Sequence, residues 1–210
     1  MDLAKMRLEY ETAGISEEDL ASEPFTQFNE WLMLAVEAEV VEPNAMVVST
    51  VDGDGQPWSR YMLLKKATVE GFDFYTNYES NKSLQLVGQP RAALTFGWLE
   101  MRRQVNVAGP VSRVPDPESD EYWAVRPRGS QIGGWASNQS RPLTDHQDLL
   151  DRYQKLDADF GETVPRPDHW GGWRLSPTMV EFWQGRQDRL HDRLRYTLVG
   201  GRWELSRLAP

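Results

Sequence analysis

Two strand-like runs, Ala45 to Val51 and Trp58 to Lys65, flank Asp52-Gly53-Asp54-Gly55. No other stretch constrains the fold as much. Gly and Asp accept positive φ, so this insert between β-branched and aromatic runs specifies a hairpin and starts an antiparallel sheet. Gly71 to Thr76, Arg91 to Trp98 and Arg103 to Val114 continue as strands, with a short helix from about Ser80 to Val87; this reads as a meander with one helical insertion. Final strands are expected at Trp173–Leu175, Met179–Trp183, Arg189–Leu198 and Trp203–Leu208. From Pro24 to Val40, the apolar residues Phe25, Phe28, Leu32, Ala35 and Val36 recur at helical spacing, and Pro24 suits a first turn. Asp116 to Val125 and Thr144 to Phe160 read as helices, the second with Leu149, Leu150, Tyr153 and Leu156 on one side. Arg126 to Ser140 reads as a Gly- and Ser-rich loop whose backbone can approach a ligand closely. Residues 1–21 form an acidic, mobile arm with a capping signal at Ser16 and Asp19, and residues 22–210 a single domain. The fold class is mainly β with helices, a closed or split barrel.

Composition removes several function classes. The chain has no cysteine, which excludes disulfides, thiolate metal sites and cysteine nucleophiles. His146, His169 and His191 are far apart in the chain, so no metal is expected. Of the net charge of −9, residues 1–42 carry 11 acids and 2 bases, leaving the remainder neutral. The bases are 18 Arg against 5 Lys, which favours discrete anion sites over a polybasic surface and disfavours nucleic acid. No apolar run is long enough for a membrane span and no signal-peptide layout opens the chain, so a soluble, cytoplasmic protein is expected.

The stretch Val180 to Arg193 gathers Arg189, His191 and Arg193 beside Trp183. As a strand it would send those three to one face and Leu190 and Leu194 to the other. Guanidiniums suit phosphate, an imidazole titrates near neutrality and an indole stacks on a flat heterocycle, so the pattern points to a phosphorylated aromatic ligand. It equally suits a solvated charged strand beside a buried tryptophan.

Glu181-Phe182-Trp183-Gln184, four residues, then Arg189-Leu190-His191-Asp192-Arg193, with the ending Arg207-Leu208-Ala209-Pro210, resembles the C-terminal signature of the pyridoxamine 5′-phosphate oxidase family. Further blocks follow in the family's order: Pro43 to Val48, Arg60 to Lys65, Phe74 to Asn77, Arg103 to Val105, Arg126 to Gly133 and Gln139-Ser140. The resemblance implies an FMN-binding split β-barrel that works as a homodimer with sites between subunits. It implies a flavin site at Arg60, Lys65, Tyr75, Thr76, Lys82, Gln104, Gln139, Ser140, Trp183 and Arg193. The substrate site it implies is Lys65, Tyr122, Arg126, Ser130, Arg189 and His191, with Arg189 and His191 at the reacting carbon and Arg7 and Tyr10 in an arm over the substrate.

The implied reaction oxidises pyridoxine 5′-phosphate or pyridoxamine 5′-phosphate to pyridoxal 5′-phosphate by hydride transfer to FMN. Dioxygen is the acceptor and hydrogen peroxide is released, with ammonia also from the amine. Two readings remain beside it: a phenazine-biosynthesis type of flavin oxidase, and a non-catalytic flavin or pyridoxal-phosphate binding protein. The chain departs from the family at Asn81, where members often carry Arg, removing one cation from the phosphate grip. Taken singly, Lys82 also suits a solvated helix lysine, Tyr122 helix packing, Arg126 a helix-end charge and Ser130 a turn. Arg60 and Lys65 are five apart, so an ideal strand sends them to opposite faces; a bulge, or separate ligands, would reconcile them.

Overall fold

The computed structural model describes residues 12–210. The sheet is built from β1 (Ala45–Val51), β2 (Pro57–Leu63), β3 (Lys66–Thr68), β4 (Gly71–Asn77), β5 (Arg91–Trp98), β6 (Arg103–Arg113), β7 (Trp170–Leu175), β8 (Met179–Gln184), β9 (Asp192–Val199) and β10 (Arg202–Leu208). Its main path runs β10-β9-β8-β6-β5-β1-β2, and β4 and β7 pair with each other, β4 also with β3 and β7 with β6. The described pairs are all antiparallel, and the sheet curls into the split half-barrel. At the opening hairpin, Asp52 Oδ1 accepts the Asp54 and Gln56 N–H groups and Oδ2 accepts the Trp58 indole N–H, which fixes the turn.

The meander expectation is corrected. β4 leaves the β1-β2 neighbourhood to pair with β7, and β5 returns to pair with β1. The split is made by β6, whose Arg103 to Ala108 pair with β8 while Val111 to Arg113 pair with β7. Gly109-Pro110 sits at the change of partner, and a proline has no N–H with which to continue the ladder.

Helix α1 (Pro24–Glu37) packs on the barrel, burying Phe25, Phe28, Trp31 and Ala35. Phe28 meets the rings of Phe72 and Phe96 at centroid distances of 4.9 and 4.8 Å, and Trp31 meets Phe182 at 5.1 Å. Each such ring contributes roughly 1.5–3 kcal/mol by leaving water. The buried stripe includes Trp31 and not Val36, which is exposed, because the core lies one helical step from the expected face.

The remaining helices are α2 (Asn81–Gly88), α3 (Asp116–Ala124), α4 (Arg128–Ala136) and α5 (His146–Asp159). The expected loop over 126–140 is largely helix α4, a correction with a packing cause. Ile132 and Ala136 are buried, Ile132 in a second cluster with Trp123, Val164 and Trp170. Gly134 lets α4 approach closely: a Cβ there would lie 2.9 Å from the Trp123 ring. On α5, Tyr153 and Leu156 pack against that cluster, while Leu150 is exposed. Ser16 and Asp19 do cap a 3₁₀ turn over Glu17–Asp19, through Asp19 Oδ2 accepting from Ser16 N and Oγ.

Candidate active site

Three groups of the expected residues are found in different parts of the fold. The first surrounds a cleft of about 260 Å³ lined by Trp58, Ser59, Arg60, Asn81, Lys82, Gln85 and Ser140. Arg60 extends from β2 on the same side as Val48 and donates to Val48 O, Thr50 Oγ1 and Gln85 Oε1 at 3.2, 2.6 and 3.1 Å. Lys82, buried in the first turn of α2, donates to Thr76 Oγ1, Ser80 Oγ and Gln139 Oε1 at 3.1, 3.2 and 2.8 Å. Every described partner of these two cations is a neutral oxygen. Burial, followed by the neighbouring Arg60 charge, holds the Lys82 ammonium down to about 8, and burial also lowers Arg60. Two desolvated cations with no carboxylate between them at a helix start are an arrangement that could hold an anion. Gln85, one turn beyond Lys82, was absent from the sequence expectations, although helical spacing could have found it.

The second group holds Lys65, Tyr75, Tyr122, Arg126 and Ser130. Lys65 lies beyond the end of β2, where Leu64 is buried and the Lys65 N–H donates to Asp73 O. Arg60, Met62 and Leu64 thus share the inward side and no bulge interrupts the pairing, so Lys65 faces the other way, as the five-residue spacing expects. Its Nζ stands 5.8 Å from the centroid of the Tyr122 ring, which stacks on Tyr75 at 4.2 Å. Trp170 completes the stack, 5.6 Å from Tyr75 and 6.1 Å from Tyr122, a wall that no local pattern signalled. Arg126 lies 4.6 Å over Trp170 and donates to Ser130 O at 3.0 Å, leaving its buried Nε without a hydrogen-bond partner. Burial lowers its guanidinium. Because Tyr75 and Thr76 alternate along β4, the two cationic groups lie on either side of that strand.

The third group is on the sheet's other face. Gln104 pairs with Trp183, and Trp183 with Arg193, so the three share a row across β6, β8 and β9. Val105, Phe182 and Leu194 alternate with them and are buried. Arg60 belongs to the row of Val48, Leu94 and Val107 on that inner face. Arg193 is held by Glu181 Oε1 at 2.9 Å and by Ala209 O at 3.1 Å.

The expected strand from Arg189 to Arg193 is corrected. The ladder starts only at the Gln184–Asp192 pair, and the chain reverses over Gly185 to His191 with Asp188 and Arg189 at φ of 53° and 61°. Arg189 and His191 are therefore carried on the reversal and not on the face of β9, and Leu190 is exposed where Leu194 is buried. The His191 ring lies 4.6 Å from Trp183, and its Nδ1 accepts the Arg186 N–H at 3.0 Å. That bond fixes the neutral ring with its proton on Nε2. Burial first, then the Arg189 charge, lowers the imidazole pKa. Arg7 and Tyr10 lie outside the described residues.

Residues 32–157 match the family model for pyridoxamine 5′-phosphate oxidase, and residues 170–210 the model for the pyridoxine 5′-phosphate oxidase C-terminal dimerisation region. The chain belongs to the pyridoxamine 5′-phosphate oxidase family. It is thereby an oxidoreductase by family. A pyridoxine/pyridoxamine 5′-phosphate oxidase of Cupriavidus necator is 52% identical over 209 residues, 99% of each chain. The protein of that name from Synechocystis sp. is 48% identical over 211 residues, 100% of this chain and 99% of its own. Among solved structures, PhzG from Burkholderia lata, in complex with tetrahydrophenazine-1-carboxylic acid, superposes with a TM-score of 0.89 at 32% identity, covering 94% of this chain and 98% of its own. A Nostoc punctiforme FMN binding protein shares the fold, with a TM-score of 0.73 at 15% identity over 91% of this chain and 100% of its own. No helix of the described residues is long and apolar enough to cross a membrane, and no cluster of metal-ligating side chains occurs among them.

Proposed function

We propose that this protein is an FMN-dependent oxidase that converts pyridoxine 5′-phosphate or pyridoxamine 5′-phosphate to pyridoxal 5′-phosphate, with dioxygen as acceptor and hydrogen peroxide as product. Ammonia is released as well when the amine is the substrate. The observation that carries this reading is the pair of cationic seats, Arg60–Lys82 and Lys65–Arg126, whose described partners hold no carboxylate. Two phosphorylated ligands, a flavin mononucleotide and a pyridine phosphate, match two such seats. The orphaned Arg126 Nε supports the second assignment, since a phosphate oxygen would satisfy it.

In this reading Arg60, Tyr75, Thr76, Lys82, Gln104, Gln139, Ser140, Trp183 and Arg193 hold FMN, and Lys65 stands between FMN and substrate. The flavin, when bound, supplies the electron sink for hydride transfer. Tyr122, Arg126 and Ser130 grip the substrate phosphate together with Lys65, while Arg189 orients the pyridine ring. His191, neutral at pH 7 with its proton on Nε2, donates that N–H toward the substrate. Arg7 and Tyr10 are assigned to the substrate side on the family pattern. Asn81 leaves the flavin phosphate to Arg60 and Lys82.

Residues on opposite faces of one sheet do not close on one ligand within a single chain, so a homodimer is part of the proposal. Its surface is the outer face, where Tyr61 is 81% and Leu99 74% exposed around a cavity of about 580 Å³. The cytoplasm is the proposed location.

The likeness to PhzG favours a second reading, oxidation of a tricyclic carboxylate, because a carboxylate can also sit on Arg126. One experiment separates them. The purified protein with FMN is given pyridoxine 5′-phosphate, pyridoxamine 5′-phosphate or a reduced phenazine carboxylate in air, and aldehyde and peroxide are followed. Pyridoxal 5′-phosphate forming together with peroxide is the expected result; turnover of the phenazine alone would replace the reading, and flavin bound without reduction by any of them would mark a carrier.

A further inference from the structure

Asp192 stands between His191 and Arg193 yet belongs to neither ligand group, and its side chain is almost fully buried. Its Oδ2 accepts the Ile15 N–H at 3.0 Å and Arg186 NH1 at 3.2 Å, while its Oδ1 accepts Arg207 NH1 at 2.7 Å. Arg207 in turn grips both carboxylate oxygens of Glu17, at 2.9 and 2.8 Å, and Ile15 O at 3.2 Å. At the other end of the reversal the Thr12 hydroxyl donates to Gly185 O. Residues 12–17 therefore bridge the two ends of the 185–191 reversal, and Asp192 is where the arm, the reversal and β10 meet.

Two details tie this junction to His191. Arg186, whose side chain Asp192 holds, is the residue whose backbone N–H bonds His191 Nδ1. Gly14 crosses directly over the junction at φ +82°, where a Cβ would lie 2.5 Å from Arg186 NH1 and 2.7 Å from Asp192 Oδ2. Only glycine fits there, so the approach is specific to the strap in its docked position.

We propose that Asp192 is a positioning residue that fastens residues 12–17 as a strap over the 185–191 reversal, and that the docked strap fixes the orientation of His191 and Arg189 toward substrate. This rests on the substrate-side assignment of those two residues. The buried carboxylate acts through Arg186 and Ile15 and touches no ligand itself. Undocking lowers the fraction of molecules with a competent reversal; if one molecule in ten stays competent, apparent substrate binding weakens about tenfold, with little effect on the turnover of those bound.

Two variants reach the junction from opposite sides: Asp192→Asn removes the charge, and Gly14→Ala displaces the strap without altering Asp192. In each, the KM for pyridoxine 5′-phosphate is expected to rise about tenfold while kcat stays within about twofold, and the double variant to rise no further than the larger single one. Hydrogen exchange at the Ile15 amide should accelerate in both, and the His191 imidazole nitrogen resonances should move. These two readouts need no turnover, so a wild-type protein inactive on both substrates would count against the proposed function and leave the strap still testable. Unchanged KM and His191 resonances alongside faster Ile15 exchange would overturn the proposal. So would an effect of Asp192→Asn that Gly14→Ala does not reproduce, since Asp192 would then act on β9 alone.

Discussion

Replacing Lys82 by Met separates anion binding from folding, because the ammonium is costly to the empty fold and useful to the loaded one. Lys82 is held at about 8 from an ordinary 10.5, so keeping it charged in the folded chain costs on the order of 3 kcal/mol near neutrality. Methionine removes that cost and also three donated hydrogen bonds, to Thr76, Ser80 and Gln139, at about 1 kcal/mol each. The two nearly cancel, and the apo protein should melt within about 4 °C of wild type. A charge-assisted bond to phosphate contributes roughly 1.5–3 kcal/mol, so FMN affinity should fall about 10- to 100-fold.

The same group sets a pH dependence. Its folded pKa is below the unfolded one, so between about 8 and 10.5 the unfolded chain binds more protons, and wild-type stability gains from Lys82 as pH rises through that window. Lys82→Met lacks that gain. Phosphate needs the charged form, about nine-tenths populated at pH 7 and one-tenth at pH 9, so wild-type FMN dissociation constants should rise roughly tenfold across that range. Flavin fluorescence titrations at pH 7, 8 and 9, with thermal melts of both apo proteins, measure each quantity. A flat wild-type titration, or Lys82→Met binding FMN as wild type does, would refute the phosphate seat.

Arg126→Gln should raise the KM for pyridoxine 5′-phosphate about 10- to 100-fold while FMN affinity stays unchanged; a parallel loss of FMN in the titration would dissociate Arg126 from the substrate seat. His191, lowered by burial and the Arg189 charge, should be neutral at pH 7. kcat/KM should therefore lose an acid limb, at a pH below the ordinary histidine value of 6.5, in His191→Asn; a limb that survives the substitution belongs to another group. Asp73 is fully buried and paired with Arg174 through 2.7 Å contacts to Nε and NH2, so Asp73→Asn should destabilise the fold by about 3–5 kcal/mol in urea unfolding. A loss under about 1 kcal/mol would show the ion pair to be dispensable.

Local chemistry was enough to read the first hairpin, the strands β1, β5 and β10, and helices α2, α3 and α5, because a turn signal or an apolar period acts over a few residues. The signature around Glu181 to Arg193, with the blocks that precede it, supplied the candidate residues through their resemblance to the family. What spacing could not supply was which side of the chain each faces and what it meets. The Gly-rich run 126–140 became helix α4 because Ile132 found a buried cluster and Gly134 a ring to pack against, neither visible within the run. Arg189 left the strand because β8 and β9 pair only as far as Gln184 and Asp192, a register set by the whole sheet. The short β3 went unread because three residues carry no period. The sequence by itself determined the strand-rich class, the family and the set of charged groups available. Tertiary structure decided which cations are buried with only neutral partners, that Trp170 walls the aromatic stack, and that Asp192 joins arm to reversal, since desolvation and long-range contact arise only when distant segments exclude water together.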